Sequence, residues 1–158
     1  MSVDIDVLTK QAEADGIQKY VVGAYIMQDD TLLLLKRAPG EDFLPDLVEL
    51  PSGGVDPGEN LLQGLEREII EETGLTITSV DRYINFFDYT SGSGKKARQF
   101  NFAVTVATPF EIKLNPAEHV AYYWVVPTAD NLDGHFNLSD KTRKTIIQAS
   151  DVLLDQAA

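Results

Sequence analysis

The sequence predicts a single domain of the mixed α/β class, and three observations carry that expectation. Apolar stretches of strand character (Lys19 to Met27, Thr31 to Lys36, Val80 to Tyr89, Ala97 to Ala107, Tyr122 to Val126) interleave with stretches of helical period (Asn60 to Thr73, Ser139 to Leu154). The 158 residues are 44% hydrophobic, enough for one sizeable core but marginal if divided between two. No internal repeat or low-complexity linker interrupts the pattern.

The elements follow in order. Val3 to Asp15 reads as a short helix ending at Gly16, so residues 1–18 are expected to be an N-terminal helical extension ahead of a main domain over residues 19–158. Lys19 to Met27 and the run TLLLLK (Thr31 to Lys36) read as two strands of a hairpin turned by Gln28, Asp29 and Asp30. A loop with Pro39, Pro45 and Pro51 then leads into Ser52, Gly53 and Gly54. From Asn60 to Thr73 the spacing predicts a helix with Leu62, Leu65, Ile69 and Ile70 on one side and Gly74 as its terminating glycine. Two strands flank the loop Thr90 to Lys96, a short strand follows at Tyr122, and Ser139 or Asp140 caps a C-terminal helix.

A formal net charge of −12 disfavours sequence-independent contact with duplex nucleic acid. An anionic small molecule would need positive charge brought to it, and bound cations are the economical source. There is no cysteine, which removes disulfides, thiolate metal sites and cysteine nucleophiles and fits a reducing, cytoplasmic setting. The acidic start (Asp4, Asp6, Glu13, Asp15) lacks the basic and apolar regions of a secretory leader, and the longest apolar run, Thr31 to Leu35, is strand-sized, so no membrane span is expected.

The segment Gly53 to Leu75, GGVDPGENLLQGLEREIIEETGL, carries Asp56, Glu59, Glu66, Glu68, Glu71 and Glu72 against the single base Arg67. On a helix, Glu68, Glu71 and Glu72 share a face, and their mutual repulsion costs a few tenths of a kcal/mol per pair. They also sit in the C-terminal half, where the helix dipole opposes them. Hard divalent cations want such oxygen ligands. Taken alone, the four glutamates from Glu66 to Glu72 read first as a solvated helical face.

The whole segment decides between these readings. It resembles the Nudix box, G-x5-E-x7-R-E-U-x-E-E-x-G-U with U a bulky aliphatic, supplying Gly53, Glu59, Arg67, Glu68, Ile69, Glu71, Glu72, Gly74 and Leu75 at every required position. A chance match in a chain of this length is on the order of 10⁻⁷. Lys36-Arg37-Ala38, Glu49-Leu50-Pro51 and Trp124 also resemble the family, and the likeness extends from Lys19 to about Ala149. The resemblance implies an α/β/α sandwich around a mixed β-sheet. It implies an enzyme that hydrolyses a nucleoside diphosphate linked to another group, using Mg²⁺ or Mn²⁺. Glu68, Glu71, Glu72 and the carbonyl of Ser52 would be the metal ligands. Glu68 or a downstream carboxylate, Glu118 with Glu111 as rival, would activate water. Arg67 and Glu59 would brace the loop, and Gly53, Gly54 and Gly74 would serve backbone geometry. Two departures stand out: Ser52 occupies a position that is commonly glycine, and Gly64 one that is commonly alanine, where it would leave room over the metals.

Outside the box, Arg37, Lys95 and Arg98, with Lys96, are the expected phosphate-steering cations, although the Lys95-Lys96 pair reads equally as a solubilising hairpin tip. His119 and His135 read as surface residues. The aromatics Tyr83, Phe86, Phe87, Tyr89, Phe100 and Phe102 are mostly core, with one or two free to stack on a base. The signatures the family associates with dinucleoside polyphosphates and ADP-ribose (a Tyr or Pro within Thr90 to Ser93) and with coenzyme A (an arginine near Asp42) are not met. Nucleoside triphosphates, cleaved to monophosphate and pyrophosphate, are therefore the expected substrates. An ADP-ribose or dinucleoside polyphosphate pyrophosphatase and a non-catalytic nucleotide-binding module are the alternatives. The expected partners are a small-molecule nucleotide and at most a second copy of the chain as a homodimer, with neither duplex nucleic acid nor membrane.

Overall fold

The computed structural model describes residues 4–39, 46–108 and 111–157; Val3, Asp42 and Pro45 of the sequence reading lie outside the described residues. The elements run α1 (Ile5–Ala14), β1 (Lys19–Gln28), β2 (Thr31–Arg37), β3 (Val48–Glu49), β4 (Ser52–Gly54), α2 (Leu61–Thr73), β5 (Ile77–Thr90), β6 (Lys96–Val106), β7 (His119–Val125), α3 (Ala129–Leu132) and α4 (Asp140–Ala157). The sheet is mixed, with strand order β3-β2-β1-β6-β5, while β4 pairs with β1 and β7 with β2 off this path.

The centre of the sheet is the parallel pair β1–β6, in register from Lys19 opposite Ala97 to Ile26 opposite Val104. β1 meets β2 only at the hairpin end, where Met27 and Gln28 face Leu32 and Thr31. Toward its start β1 instead pairs with β4, through Val21, Val22 and Gly23. β2 therefore leaves β1 after two residue pairs and carries β3 and β7 with it. The site described below lies where these strands part. At the hairpin, Asp29 adopts a left-handed φ of 53°, which a short polar side chain tolerates.

Both faces of the sheet are covered, which gives the sandwich. The TLLLLK run shows why period two alone did not describe it: Leu33 and Leu35 enter the core under α1 and α2, and Leu32 and Leu34 enter the core under α4. α2 docks through Leu61, Leu65 and Ile69, and its start is fixed by a capping box in which Asn60 and Gln63 bond each other's backbone N–H. Gly74 ends it at φ 75°, its N–H donating to the Ile70 carbonyl. Ile70, expected on the apolar side, is instead exposed, one helical step (about 100°) from buried Ile69. α1 packs Ala12, Ile5 and Leu8 onto the same core.

β5 begins at Ile77, three residues before the expected start, because its polar beginning is held by hydrogen bonds from Ser79 and Thr105 to Asp81. The short β3, β4 and α3 have two, three and four residues, too few to show a period.

Candidate active site

The carboxylates of α2 divide by helical position. Leu61, Leu65, Ile69 and Glu72 fall on one stripe (i, i+4, i+8, i+11), and all four are buried, Glu72 with only 4% exposure. Glu72 thus occupies a core position with an acid. Its Oε1 accepts the backbone N–H of Ser52 at 2.8 Å. Burial, reinforced by Glu49, Glu118 and Glu68 nearby, pushes its carboxyl up to about 9. Glu68, one turn earlier, is half-buried and also raised, again chiefly by burial. Glu71 is turned outward, its side chain 56% exposed, and lies outside the cavity lining.

Arg67 organises the loop before the helix. Its Nε and Nη2 donate to the two oxygens of Glu59 at 2.7 and 2.9 Å, and Nη2 also donates to the Gly54 carbonyl at 2.8 Å. Nη1 donates to Glu68 at 2.9 Å and to Glu71 at 3.1 Å. Glu59 is held well below the usual carboxylate range by the Arg67 hydrogen bonds first and by the Asp56 N–H second. A bidentate guanidinium with a third, backbone contact fixes loop and helix together. Gly53 has no room for a side chain: a Cβ there would stand 2.0 Å from Glu68 Oε2.

Ser52, Gly53, Gly54, Glu68 and Glu72 line a cavity of about 980 Å³ bounded by β1, β4, the ends of β2 and β3, the starts of β7 and α4 and the strands β5 and β6. One end holds Glu49, Glu68, Glu72, Glu118 and His119; Lys19, Arg37, Phe87, Tyr89 and Gln99 are also in its wall. His119, expected at the surface, is 3% exposed, because β7 begins with its side chain facing Glu49 and Glu72. Its Nε2 lies 2.9 Å from Glu49 Oε2. Its Nδ1 is buried without a hydrogen bond, 3.7 Å from Glu72.

The other sequence candidates fall as follows. Glu118 is in the cavity, and its rival Glu111 is exposed elsewhere. Arg37 lines the cavity near Glu49. Lys95 stands exposed on the turn between β5 and β6, outside the lining. Arg98 requires a correction: it is 3% exposed, clamped by Asp88 at 2.7 and 2.9 Å and Asp15 at 2.9 Å, and stacked 4.1 Å over Phe86. Strand alternation is the reason, since Gln99 faces the cavity and so Arg98 must face the other side. Ser52 pairs with Gly23 as an ordinary strand residue and has no positive φ, so the serine is accommodated without strain. Gly64 does not open space over the carboxylates; it lets α2 approach Val55, whose Cγ2 would lie 3.0 Å from an added Cβ. Lys19 and Gln99 were not singled out from sequence, His119 was read only as a surface residue, and Glu49 was named only for its place just before Leu50-Pro51.

Residues 18–143 match the model of the NUDIX domain. The nucleoside triphosphatase NudI of Escherichia coli O17:K52:H18 (strain UMN026 / ExPEC) is 34% identical over 137 residues, 82% of this chain and 94% of that protein. The chain belongs to the Nudix family. Among solved structures, the MutT protein of Methanosarcina mazei Go1 superposes with a TM-score of 0.73 at 26% identity, over 85% of this chain and 94% of that one. The MutT Nudix hydrolase of Burkholderia pseudomallei gives 0.68 at 26% identity, over 82% and 96%. The protein is accordingly a Nudix pyrophosphohydrolase.

Dependence on divalent metal is typical of Nudix enzymes, and the residues present suit it. Ligand atoms of Glu72, Glu118 and His119 lie within 4.8 Å of one another. The desolvated Glu72 carboxyl, with one hydrogen bond from Ser52, and the orphaned His119 Nδ1 are buried polar groups with bonding capacity to spare. An oxygen-rich set of this kind fits a hard cation.

Proposed function

We propose that this Nudix hydrolase cleaves nucleoside triphosphates to the monophosphate and pyrophosphate, with Mg²⁺ or Mn²⁺ as cofactor. The observation that carries the reading is Glu72: a carboxyl placed in a core stripe and left desolvated beside Glu68 and Glu118, at one end of a cavity that also has aromatic and polar walls. The similarity to a nucleoside triphosphatase supports the substrate class.

Glu68, Glu72 and the Ser52 carbonyl would hold the cation, and Glu71 would join them on leaving Arg67. When bound, a divalent cation neutralises charge on the phosphate oxygens. The water oxygen forms its bond to phosphorus as the anhydride P–O bond breaks, and the water's proton passes to a carboxylate. Glu118 is suited to take it, being exposed in the cavity, with Glu68 the second acceptor in reach. Arg37 is the cation on the wall that meets phosphate, assisted by Lys19. The clamped Arg98 and the remote Lys95 take no part.

The test is a panel of nucleoside triphosphates, ADP-ribose and a dinucleoside polyphosphate, incubated with Mg²⁺, Mn²⁺ or EDTA and resolved by chromatography. Monophosphate and pyrophosphate should appear from triphosphates in metal only. Turnover of ADP-ribose or the dinucleoside polyphosphate about 100-fold faster than every triphosphate would overturn the substrate assignment.

A further inference from the structure

A line of side-chain amides crosses the sheet under the cavity. Gln99 Nε2 donates to Asn101 Oδ1 at 2.8 Å, and Asn101 Nδ2 donates to Asn85 Oδ1 at 3.0 Å. Asn85 Nδ2 in turn donates to Thr145 Oγ1 at 3.3 Å and Gln148 Oε1 at 3.0 Å, on α4. Asn101 is fully buried and Gln99 nearly so. The backbone makes room for them: a Cβ on Gly23 would stand 2.5 Å from Asn101 Oδ1 and 2.7 Å from Gln99 Nε2.

The direction of this relay is set by its far end. The Thr145 hydroxyl gives its proton to the Lys141 carbonyl at 2.9 Å, and a carbonyl can only accept. Thr145 Oγ1 must then accept from Asn85, which turns the Asn85 carbonyl toward Asn101 and the Asn101 carbonyl toward Gln99. Each amide is oriented by the one before it, without appeal to the assignment of nitrogen and oxygen. One Nε2 proton is committed to Asn101, so the Gln99 amide in the cavity wall has its carbonyl oxygen, held in one orientation, and a single N–H left to offer. Beside it, Phe87 is the cross-strand partner of Gln99, and Phe87 and Tyr89 form an aromatic pair in the same wall, with ring centroids 6.1 Å apart. A flat ring stacked on aromatics with a carboxamide at its edge is the chemistry by which a base is read.

We propose that Gln99 is a specificity-determining residue, selecting nucleobases that present an exocyclic amine, cytosine or adenine, over their keto counterparts. The inference rests on the triphosphate reading for its substrate and names the base that reading leaves open. With the phosphates fixed at the carboxylate end and the Gln99 carbonyl oxygen meeting the exocyclic position, replacing the amine by a carbonyl puts acceptor against acceptor, and the amide cannot turn its N–H there without breaking the bond to Asn101. Thr145 acts at a distance from the base, as a positioning residue.

The test has two arms. Turnover of CTP against UTP, and of ATP against ITP, compares amine with keto at one place on the ring. Binding of the non-hydrolysable α,β-methylene analogues of CTP and UTP in Mg²⁺ gives the same comparison without catalysis. The wild type should prefer the amine-bearing member by about 10-fold or more in both arms. Gln99→Leu should abolish the preference. So should Thr145→Val, which frees the relay to reverse, while Thr145→Ser should restore it. A purely structural tie between α4 and the sheet would lower Tm in Thr145→Val and leave the ratio untouched, which overturns the proposal. So does a wild-type ratio within about threefold of unity. If no triphosphate is hydrolysed, the functional reading fails, and the analogue ratio still decides the role of Gln99.

Discussion

Replacing Glu72 by Gln separates the two roles of that carboxyl. Its pKa is raised from 4.5 to about 9, by burial first. A folded-state pKa above the unfolded one gives a contribution fully present below the unfolded value. That contribution is lost as pH climbs through the interval toward the folded value. At about pH 7.5 and without metal, the unfolded chain has ionised this group and the folded chain has not. The interval of about 3 pH units corresponds to about 4 kcal/mol of stability forgone relative to acid. Glu72→Gln keeps shape and can still accept the Ser52 N–H, but it never ionises. In EDTA the variant should therefore melt higher than wild type at about pH 7.5, on the order of 10 °C for a domain of this size, and nearly level with it at about pH 5. Added Mg²⁺ should close the gap by raising the wild type, more at the higher pH, because binding needs the ionised form. In the same variant kcat should fall at least about 100-fold, about 2.7 kcal/mol at the barrier. The assay is thermal denaturation at the two pH values with and without Mg²⁺, beside a turnover measurement. A gap that does not change with pH in EDTA would refute the burial argument, and activity within about threefold of wild type would refute the metal role.

Gly53→Ala should leave the fold in place, since the atom it meets is the end of the Glu68 side chain, yet displace that carboxylate and cut kcat by about 10-fold or more; unchanged turnover would remove Glu68 from the reaction. Arg67→Lys loses the fork on Glu59 and the Gly54 contact together, so Tm and activity should both fall; lost activity at unchanged Tm would mean that Arg67 acts on substrate directly. Glu118→Gln should lower kcat about 10²- to 10⁴-fold; a smaller loss would assign the proton to Glu68. Arg98→Met should lower Tm by leaving Asp15 and Asp88 without their partner, while KM stays within about twofold; a large rise in KM would return Arg98 to the phosphate site.

The fold was legible because its signals are local: alternating apolar runs, a capped amphipathic helix and glycines where helices stop. The box was legible because its spacing is rigid, with Arg67 and Glu59 eight residues apart and joined by two hydrogen bonds. The burial of Glu72 was also in principle readable, since its position completes the stripe of Leu61, Leu65 and Ile69. Strand parity was not. Along KARQFNFAV every residue from Ala97 to Ala103 is buried, so no alternation of polar and apolar types announces which face is which. That is why Arg98, the more obvious phosphate ligand, went to the wrong side of the sheet and Gln99 passed unnoticed. His119 was misplaced for a related reason: whether β7 begins with that ring inward depends on its pairing with β2, where the register shifts between Lys36 and Arg37.

The same parity ties the two halves of the cavity together. Lys19, Val21 and Gly23 on β1, Ala97, Gln99 and Asn101 on β6, and Asn85, Phe87 and Tyr89 on β5 are all odd-numbered and stand side by side in register. The even residues beside them, such as Val22, Phe100 and Phe102, build the core under α2. One face of a continuous three-strand surface thus anchors the helix that carries the carboxylates, and the other face forms the polar and aromatic wall. An insertion of one residue in β6 would exchange Gln99 for Arg98 or Phe100 at the cavity and turn the carboxamides of Gln99 and Asn101 into the core, so the substrate-facing wall and the helix dock cannot change independently. The early parting of β2 from β1 completes the arrangement, because it lets β4 bring Ser52 and Gly53 to the start of β1, where Glu72 and Glu68 meet them.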